Sequence, residues 1–252
     1  MPAAPCLQFD LGNSSAKWRL VADGIVLARG QYRAGDAASA AGLQALQPQP
    51  RLVWVSSVAA PDIEADLSSL AVGHWGLEPW FARTEALTDD LVNSYSDPTR
   101  MGVDRWLAML GARARERGRI CVVDVGSALT IDLVAADGRH EGGFIIPGPA
   151  LMERALLLDT NRVRFDESID YALSPGASTA EAVRHGIAIA QAGAVTLALE
   201  NATGDAPALF FCGGAGEMLM QLLGRGGVYV PDLVFEGLEI MASRAGHAPF
   251  GE

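Results

Sequence analysis

The feature of the sequence that most constrains its fold is an internal repeat, which relates residues 5–30 to residues 119–146. In each copy an apolar strand ends in Asp-x-Gly, a second strand follows, and an Asp-Gly turn leads into a third strand. The aspartates of these turns are Asp10 and Asp23 in the first copy and Asp124 and Asp137 in the second, so their spacing is the same. Each copy therefore predicts a three-strand meander.

The residues after each meander have the pattern of a mixed α/β unit. A strand over residues 52–57 precedes a helix over 63–72, and a helix over 151–158 follows the second meander. We expect two similar lobes, each with a mixed sheet that opens with a meander and is flanked by helices. A charged, glycine-containing stretch at 111–118 marks the boundary, which gives an N-terminal lobe of residues 1–115 and a C-terminal lobe of residues 116–252.

The charge of the chain excludes one class of partner. The 252 residues carry a net charge of −11, and the 19 lysines and arginines are spread along the chain, so no nucleic-acid partner is expected. One basic cluster stands out, formed by Arg113, Arg115, Arg117 and Arg119. It is predicted to be the solvated end of a helix.

The cysteines and the apolar segments indicate a cytoplasmic protein. Cys6, Cys121 and Cys212 lie far apart in apolar stretches, which predicts buried thiols of a reduced protein. The N-terminus lacks a basic region followed by a long apolar run, and no unbroken apolar stretch approaches the roughly 18 residues of a membrane span. Neither a signal peptide nor a membrane partner is therefore expected.

Each Asp-x-Gly turn places a carboxylate and backbone N–H groups around one small volume, which suits Mg-ATP. The Asp10 carboxylate could hold hydrated Mg²⁺, because this ion needs only one or two protein oxygens. Phosphate oxygens could be contacted by the side chains of Asn13, Ser14, Ser127 and Thr130, and Lys17 could add a positive charge. A single Asp-x-Gly is more often simple hairpin chemistry, but two copies at matched spacing favour a phosphate clamp.

A third glycine cluster follows an apolar strand near residue 210. Gly213 and Gly214 lie in it, and a helical stretch over 217–223 comes next. A strand, a glycine turn and a helix let the backbone approach a nucleotide closely. Together with the two phosphate turns, this segment becomes a candidate adenosine site.

The order of these motifs resembles the actin-like ATPase and sugar kinase superfamily, which has two ribonuclease-H-like lobes, and within it the type III pantothenate kinases. The resemblance spans nearly the whole chain. It rests on the segments 10–14 (DLGNS), Tyr95 with 102–105 (GVDR), 124–130 (DVGSALT), 142–148 (GGFIIPG), 175–179 (PGAST) and 212–215 (CGGA).

The resemblance implies a role for each segment, in an ATP-dependent phosphorylation of pantothenate, the first step of coenzyme A biosynthesis. Asp104 would be the catalytic base and Arg105 the partner of the pantothenate carboxylate, in a substrate segment that includes Gly102 and Val103, while Tyr95 and Thr179 would line the pantothenate pocket. The phosphate segment would comprise Asp10, Leu11, Gly12, Asn13, Ser14, Ser15, Ala16 and Lys17. Ser127 would contact ATP, Asp10 would serve Mg²⁺, and Asp124 would hold potassium or ammonium.

Several of these residues have simpler interpretations. Asp104 could be a helix cap beside a solvated Arg105, and Tyr95 a half-buried loop aromatic. Thr179 could cap a helix over 180–187. Asp124 could equally act through Mg²⁺-bound waters, because hard oxygen sites overlap between these ions.

The sequence departs from the family in two places. Gly126-Ser127-Ala128 stands where relatives carry Gly-Thr-Ala, which keeps the hydroxyl and loses a methyl. The loop at 160–164 is also altered, which leaves its substrate contacts open. The resemblance further implies a homodimer in which the partner helps to cover the pantothenate pocket. Two other functions stay open at this point: a nucleotide-binding regulator of the same fold, and a kinase for another small hydroxylated acid or sugar.

Overall fold

The computed structural model describes residues 4–12, 16–159, 163–165 and 167–247. These residues form two compact units. The first unit comprises the described residues of Met1–Thr88, Tyr95–Gly111 and Leu233–Glu252, and the second comprises those of Asp89–Ser94 and Ala112–Asp232. The two units therefore alternate along the chain.

The elements are as follows. The strands are β1 (Cys6–Leu11), β2 (Ala16–Ala22), β3 (Ile25–Tyr32), β4 (Leu52–Ser57), β5 (Trp80–Phe81), β6 (Leu87–Thr88), β7 (Leu91–Val92), β8 (Ile120–Val125), β9 (Ala128–Val134), β10 (His140–Pro147), β11 (Ala208–Cys212) and β12 (Val228–Tyr229). The helices are α1 (Ala37–Gln44), α2 (Pro61–Trp75), α3 (Val103–Arg115), α4 (Pro149–Asp159), α5 (Thr179–Asn201), α6 (Gly216–Leu223) and α7 (Leu233–Arg244), with a 3₁₀ turn at Pro98–Arg100.

The sheet of the first unit has the strand order β3-β2-β1-β4-β5. Strands β1, β2 and β3 form the antiparallel meander that the repeat predicts, and β4 lies parallel to β1 on its other side. Alternate residues of β1, namely Leu7, Phe9 and Leu11, are buried in a core that also receives Leu43 of α1 and Leu67 of α2. The carboxyl ends of β1 and β4 therefore lie side by side.

The sheet of the second unit has the matching order β10-β9-β8-β11-β12. Strands β8, β9 and β10 form the second meander, and β11 lies parallel to β8. Its core packs alternate residues of β8 and β9 against α5 and α6. The prediction of a mixed α/β fold with two similar sheets, each opening with a meander, is thus confirmed.

The last helix, α7, is held in the first unit by backbone contact and by a buried polar cluster. A β-carbon on Gly237 would collide with the backbone carbonyl of Leu107 in α3, so this glycine permits the two helices to touch. Glu239 of α7 accepts hydrogen bonds from Arg19 and Gln8 of the sheet, at 2.8 and 2.9 Å. The part of α3 that contains Leu107 therefore packs against α7.

Helix α5 extends well beyond the predicted 180–187. By length and composition alone it could cross a membrane, with a mean hydropathy of 1.3 over its most apolar window. Within the second unit it buries a stripe that includes Ile187, Ala188 and Val195, and a core helix of a folded domain satisfies the same criteria.

The arginine cluster is less solvated than predicted. Arg113 is 2% exposed, pairs with Asp90, and donates to the backbone carbonyls of Arg117 and Gly118. Arg119 pairs with Glu141 at 2.6 Å. The prediction of a solvated helix end is therefore wrong for Arg113, because an acidic partner from the segment before α3 compensates its charge. The prediction of three buried thiols is confirmed.

Candidate functional site

Asp10 stands at the carboxyl end of β1, between Lys17 on β2 and Ser56 on β4. Its side chain is half-buried, and its Oδ1 accepts a hydrogen bond from Ser56 Oγ at 3.2 Å. Burial, together with the negative charge of Asp104, raises the pKa of Asp10 to about 6, against the opposing effects of Lys17 and Ser56. A desolvated carboxylate of this kind gains from a cation that neutralises it. The predicted phosphate contacts Asn13, Ser14 and Ser15 lie outside the described residues.

The raised pKa gives Asp10 a measurable effect on the stability of the ligand-free protein. An acid whose pKa is higher in the folded state binds protons more tightly there, so folding loses stability as the pH rises from about 4 through about 6. Asp10→Asn should therefore be more stable than the wild type at pH 7–8 and equally stable near pH 4. Chemical denaturation at the two pH values checks this, with Asp205→Asn, at an exposed aspartate outside helices and strands, as the control. An equal difference at both pH values would contradict it.

Asp104 and Arg105 occupy the first turn of α3. Asp104 Oδ1 accepts a hydrogen bond from Arg105 N at 2.8 Å and lies 2.5 Å from the position that a Gly102 β-carbon would take. A side chain at residue 102 would therefore displace the Asp104 carboxylate. The negative charge of Asp104 contributes to raising the pKa of Asp10, so the two carboxylates interact electrostatically.

Arg105 is buried, whereas the helix-cap interpretation requires it to be solvated. It is 6% exposed, and its Nη1 donates to Tyr95 Oη at 2.9 Å. The guanidinium carbon also lies 5.8 Å from the centre of the Tyr95 ring. The solvated-arginine half of that interpretation is wrong, because the Tyr95 side chain covers and orients the guanidinium.

The second unit brings the Asp124 turn together with the late glycine cluster. Gly213 has φ +80°, and a β-carbon there would collide with Asp124 Oδ1 and lie 2.6 Å from the Val125 carbonyl oxygen. Ala215 N donates to that same carbonyl at 3.0 Å. Two segments that are about ninety residues apart in the chain thus form one glycine-lined surface around a half-buried carboxylate. Gly214, next to Gly213, has open space where its side chain would be.

Ser127 is exposed at the tip of the second turn, and its carbonyl accepts from Gly148 N at 2.9 Å. Thr179 is exposed and is the first residue of α5. Ser178, not Thr179, caps this helix, since its hydroxyl accepts from Glu181 N at 3.2 Å. The capping interpretation of Thr179 is therefore wrong. Thr179 also borders an apolar groove of about 740 Å³ between α4 and α5.

Sequence reasoning missed Ser56 and a hydrogen-bonded trio formed by the exposed Ser94 and the buried Asp132 and His140. Ser56 is 0% exposed and stands in register with Asp10. The predicted strand over 52–57 could have indicated it, because parallel strands present their carboxyl ends at one edge of a sheet. His140 Nε2 lies 3.0 Å from Asp132 Oδ1. A histidine and an aspartate on adjacent strands of a predicted meander are a signal that was available in the second repeat.

The chain is similar to known proteins over most of its length. The family model for type III pantothenate kinase matches residues 6–201. Type III pantothenate kinases from Thiobacillus denitrificans and Marinobacter nauticus are 37% and 36% identical to this chain, and each match covers 94% of it and 96% or 98% of the relative.

Solved structures support the fold. A Campylobacter jejuni protein assigned to the Baf family of transcriptional activators superposes with a TM-score of 0.61 at 19% identity, over 95% of this chain and 98% of that one. A Sinorhizobium meliloti protein assigned as a 2-dehydro-3-deoxygalactonokinase gives 0.57 at 16% identity, with the same coverage. At these identities the structures show that the fold is shared. From the closer sequence relatives, the chain belongs to the type III pantothenate kinase family.

Proposed function

We propose that this protein transfers the γ-phosphoryl group of ATP to the primary hydroxyl of pantothenate, giving 4'-phosphopantothenate in the first step of coenzyme A biosynthesis. The observation that carries the proposal is the acceptor cluster in the first unit. The buried Arg105 donates a hydrogen bond to Tyr95 and follows Asp104 in α3. The negative charge of Asp104 contributes to raising the pKa of Asp10. These residues would supply an anion-binding fork, a base and a cation-binding carboxylate within one compact unit.

Asp104 orients the acceptor hydroxyl and takes its proton late in the transfer. The transition state of phosphoryl transfer is loose, so the main task of the protein is to hold the hydroxyl in line with the γ-phosphate. Arg105 presents a planar pair of donors, which matches the carboxylate of pantothenate. Because Tyr95 already engages the guanidinium, little side-chain freedom is lost when the substrate carboxylate binds. The predicted contact of Thr179 with the acceptor stays part of the proposal.

ATP would be held by the Asp10 turn and by the Asp124 turn with Gly213, Gly214 and Ser127. Asp10 would hold Mg²⁺, because a single desolvated carboxylate with a raised pKa gains from a cation and Mg²⁺ needs only one or two protein oxygens. The described residues contain no group of three or more His, Cys, Asp or Glu side chains that could cage a metal. Potassium or ammonium would suit Asp124, whose carboxylate lies over the Gly213 backbone. When bound, the cations neutralise the charge that develops on the phosphates.

The direct test is ADP release coupled to the addition of pantothenate, with Mg²⁺ and either potassium or ammonium present. Turnover that depends on pantothenate, and that exceeds turnover with sugars or other hydroxy acids, supports the proposal. ATP binding without any turnover would instead identify a nucleotide-binding regulator. A preference for another acceptor would identify a different small-molecule kinase.

We further propose that the protein acts as a homodimer through the groove between α4 and α5. Leu151 and Leu156, which line this groove, are exposed, and so are four other large apolar side chains of β10, α4 and α5, namely Phe144, Ile145, Leu158 and Ile189. An exposed apolar patch of this kind is typical of a protein interface. Thr179 borders the groove, so a partner subunit seated there would lie close to a proposed acceptor contact.

Leu151→Glu should produce a monomer with weaker pantothenate binding. The side chain is 39% exposed and borders the groove, so a glutamate there would bury an unpaired charge in the dimer without disturbing the core of the monomer. Light scattering after size exclusion should show half the wild-type mass, and the KM for pantothenate should rise at least about tenfold. Leu27→Glu, at an exposed leucine of β3, is the matched control. A dimeric Leu151→Glu protein would contradict the proposed interface.

A further inference from the structure

A series of hydrogen bonds in the second unit joins Ser94 to the buried side chains of His140 and Asp132. His140 Nε2 lies 3.0 Å from Asp132 Oδ1, and His140 Nδ1 lies 2.9 Å from Ser94 Oγ. The imidazole is 0% exposed and Asp132 is 1% exposed, whereas Ser94 lies at the surface. The series therefore connects a surface residue to two polar groups inside the unit.

The hydrogen-bonding capacities of the three groups link their roles. A neutral imidazole that donates from Nε2 to the Asp132 carboxylate presents Nδ1 as an acceptor for the Ser94 hydroxyl. Hydrolases use the same three residue types to activate a serine, but their histidine must pass a proton to a leaving group. The ring of His140 is fully buried and has no access to a leaving group in solvent. Its effect on Ser94 is therefore positional.

Ser94 is the last residue of a segment, Asp89–Ser94, that contacts the rest of the second unit at several points. Asp90 pairs with Arg113 and Arg117, and Val92 N donates to the Gly138 carbonyl at 3.0 Å. Gly138 has φ +88°, and a β-carbon there would collide with the Asp90 carbonyl, so the approach of the segment requires glycine. Ser94 is the final attachment before the chain reaches Tyr95.

Tyr95 is the residue that orients Arg105. We propose that Ser94 and His140 are positioning residues for the acceptor: their hydrogen bond restrains the backbone immediately before Tyr95 and thereby keeps the KM for pantothenate low. This inference rests on the proposed function, because it uses Tyr95 and Arg105 as the acceptor contacts. A small displacement of a positioning group is enough to weaken binding measurably.

Steady-state kinetics of Ser94→Ala and His140→Gln test the inference. Loss of the hydrogen bond should raise the KM for pantothenate about fivefold to tenfold, while kcat and the KM for ATP stay within about twofold. Ser94→Thr keeps the hydroxyl and should recover most of the affinity. Ser68→Ala removes a surface-side hydroxyl that bonds the Glu64 carbonyl within α2, and it should behave as the wild type.

A second measurement separates this inference from the proposed function. Backbone amides of residues 92–95 should exchange hydrogen faster in ligand-free Ser94→Ala than in the wild type, whatever the acceptor is. Unchanged exchange overturns the inference even if pantothenate is phosphorylated, and so does an unchanged pantothenate KM in Ser94→Ala. Equal increases in the KM of both substrates also overturn it, because they indicate a general structural role. Absence of pantothenate turnover in the wild type overturns the proposed function, whereas the exchange result still reports on the attachment.

Discussion

Asp104→Asn is expected to lower kcat at least about a hundredfold while the affinity for pantothenate stays nearly unchanged. Asparagine keeps the size of the side chain and can still accept the hydrogen bond from Arg105 N, so the first turn of α3 should be preserved. What it loses is the negative charge that is proposed to orient the acceptor hydroxyl and to take its proton. Single-turnover rates, together with pantothenate binding by calorimetry, separate these two effects.

The same variant has a second, independent readout. The charge of Asp104 contributes to raising the pKa of Asp10, so its removal should lower the Asp10 titration midpoint below about 6 in the ligand-free protein. Asp205→Asn, at an exposed aspartate of the second unit, is the control. Turnover of Asp104→Asn within tenfold of the wild type would show that Asp104 only positions the acceptor.

Gly213→Ala is expected to weaken ATP binding at least about tenfold and to destabilise the protein by about 2 kcal/mol. The new methyl group would collide with the Asp124 carboxylate, in a backbone conformation that alanine rarely adopts. The Asp124 turn and the glycine cluster would have to separate, which disperses the oxygens and N–H groups proposed to hold the nucleotide. Thermal unfolding and the KM for ATP report the two consequences.

Gly214→Ala provides the comparison for this prediction. A β-carbon at Gly214 meets no atom within 4 Å, and its φ is not positive, so the substitution should leave the melting temperature unchanged. An altered KM for ATP in a fully stable Gly214→Ala protein would place Gly214 against the nucleotide itself. Equal stability of the two variants would contradict the packing argument for Gly213.

The sequence predicts the elements best where the local chemistry repeats. Both meanders follow from apolar strands interrupted by Asp-x-Gly and Asp-Gly turns, and the structure forms them as β1–β3 and β8–β10. These turns need glycine and aspartate for local backbone reasons, and neighbouring residues suffice to identify them. Membership of the pantothenate kinase family was likewise predicted from the combination of motifs.

Features that depend on distant partners could not be predicted in this way. A charged stretch ending a helix is usually solvated, yet Asp90, well before it in the chain, makes Arg113 a buried ion pair. The apolar pattern of α7 does not indicate which unit the helix joins. Its packing in the first unit depends on the close approach of Gly237 to Leu107, which lies far away in the sequence. Which residues of the candidate site touch substrates stays a prediction for the variants described above.

The origin of α7 from the last part of the chain has a consequence for how the enzyme is made in the cell. Helix α3 begins with the proposed catalytic residues, and α7 packs on it through Gly237. During translation, however, all residues of the second unit must emerge before Leu233–Arg244 does. The ribosome therefore holds a first unit without α7 until residues 233–244 have been made. We expect a chain that terminates before Leu233 to lack phosphotransferase activity, because the helix that begins with the proposed catalytic residues would lose its packing partner.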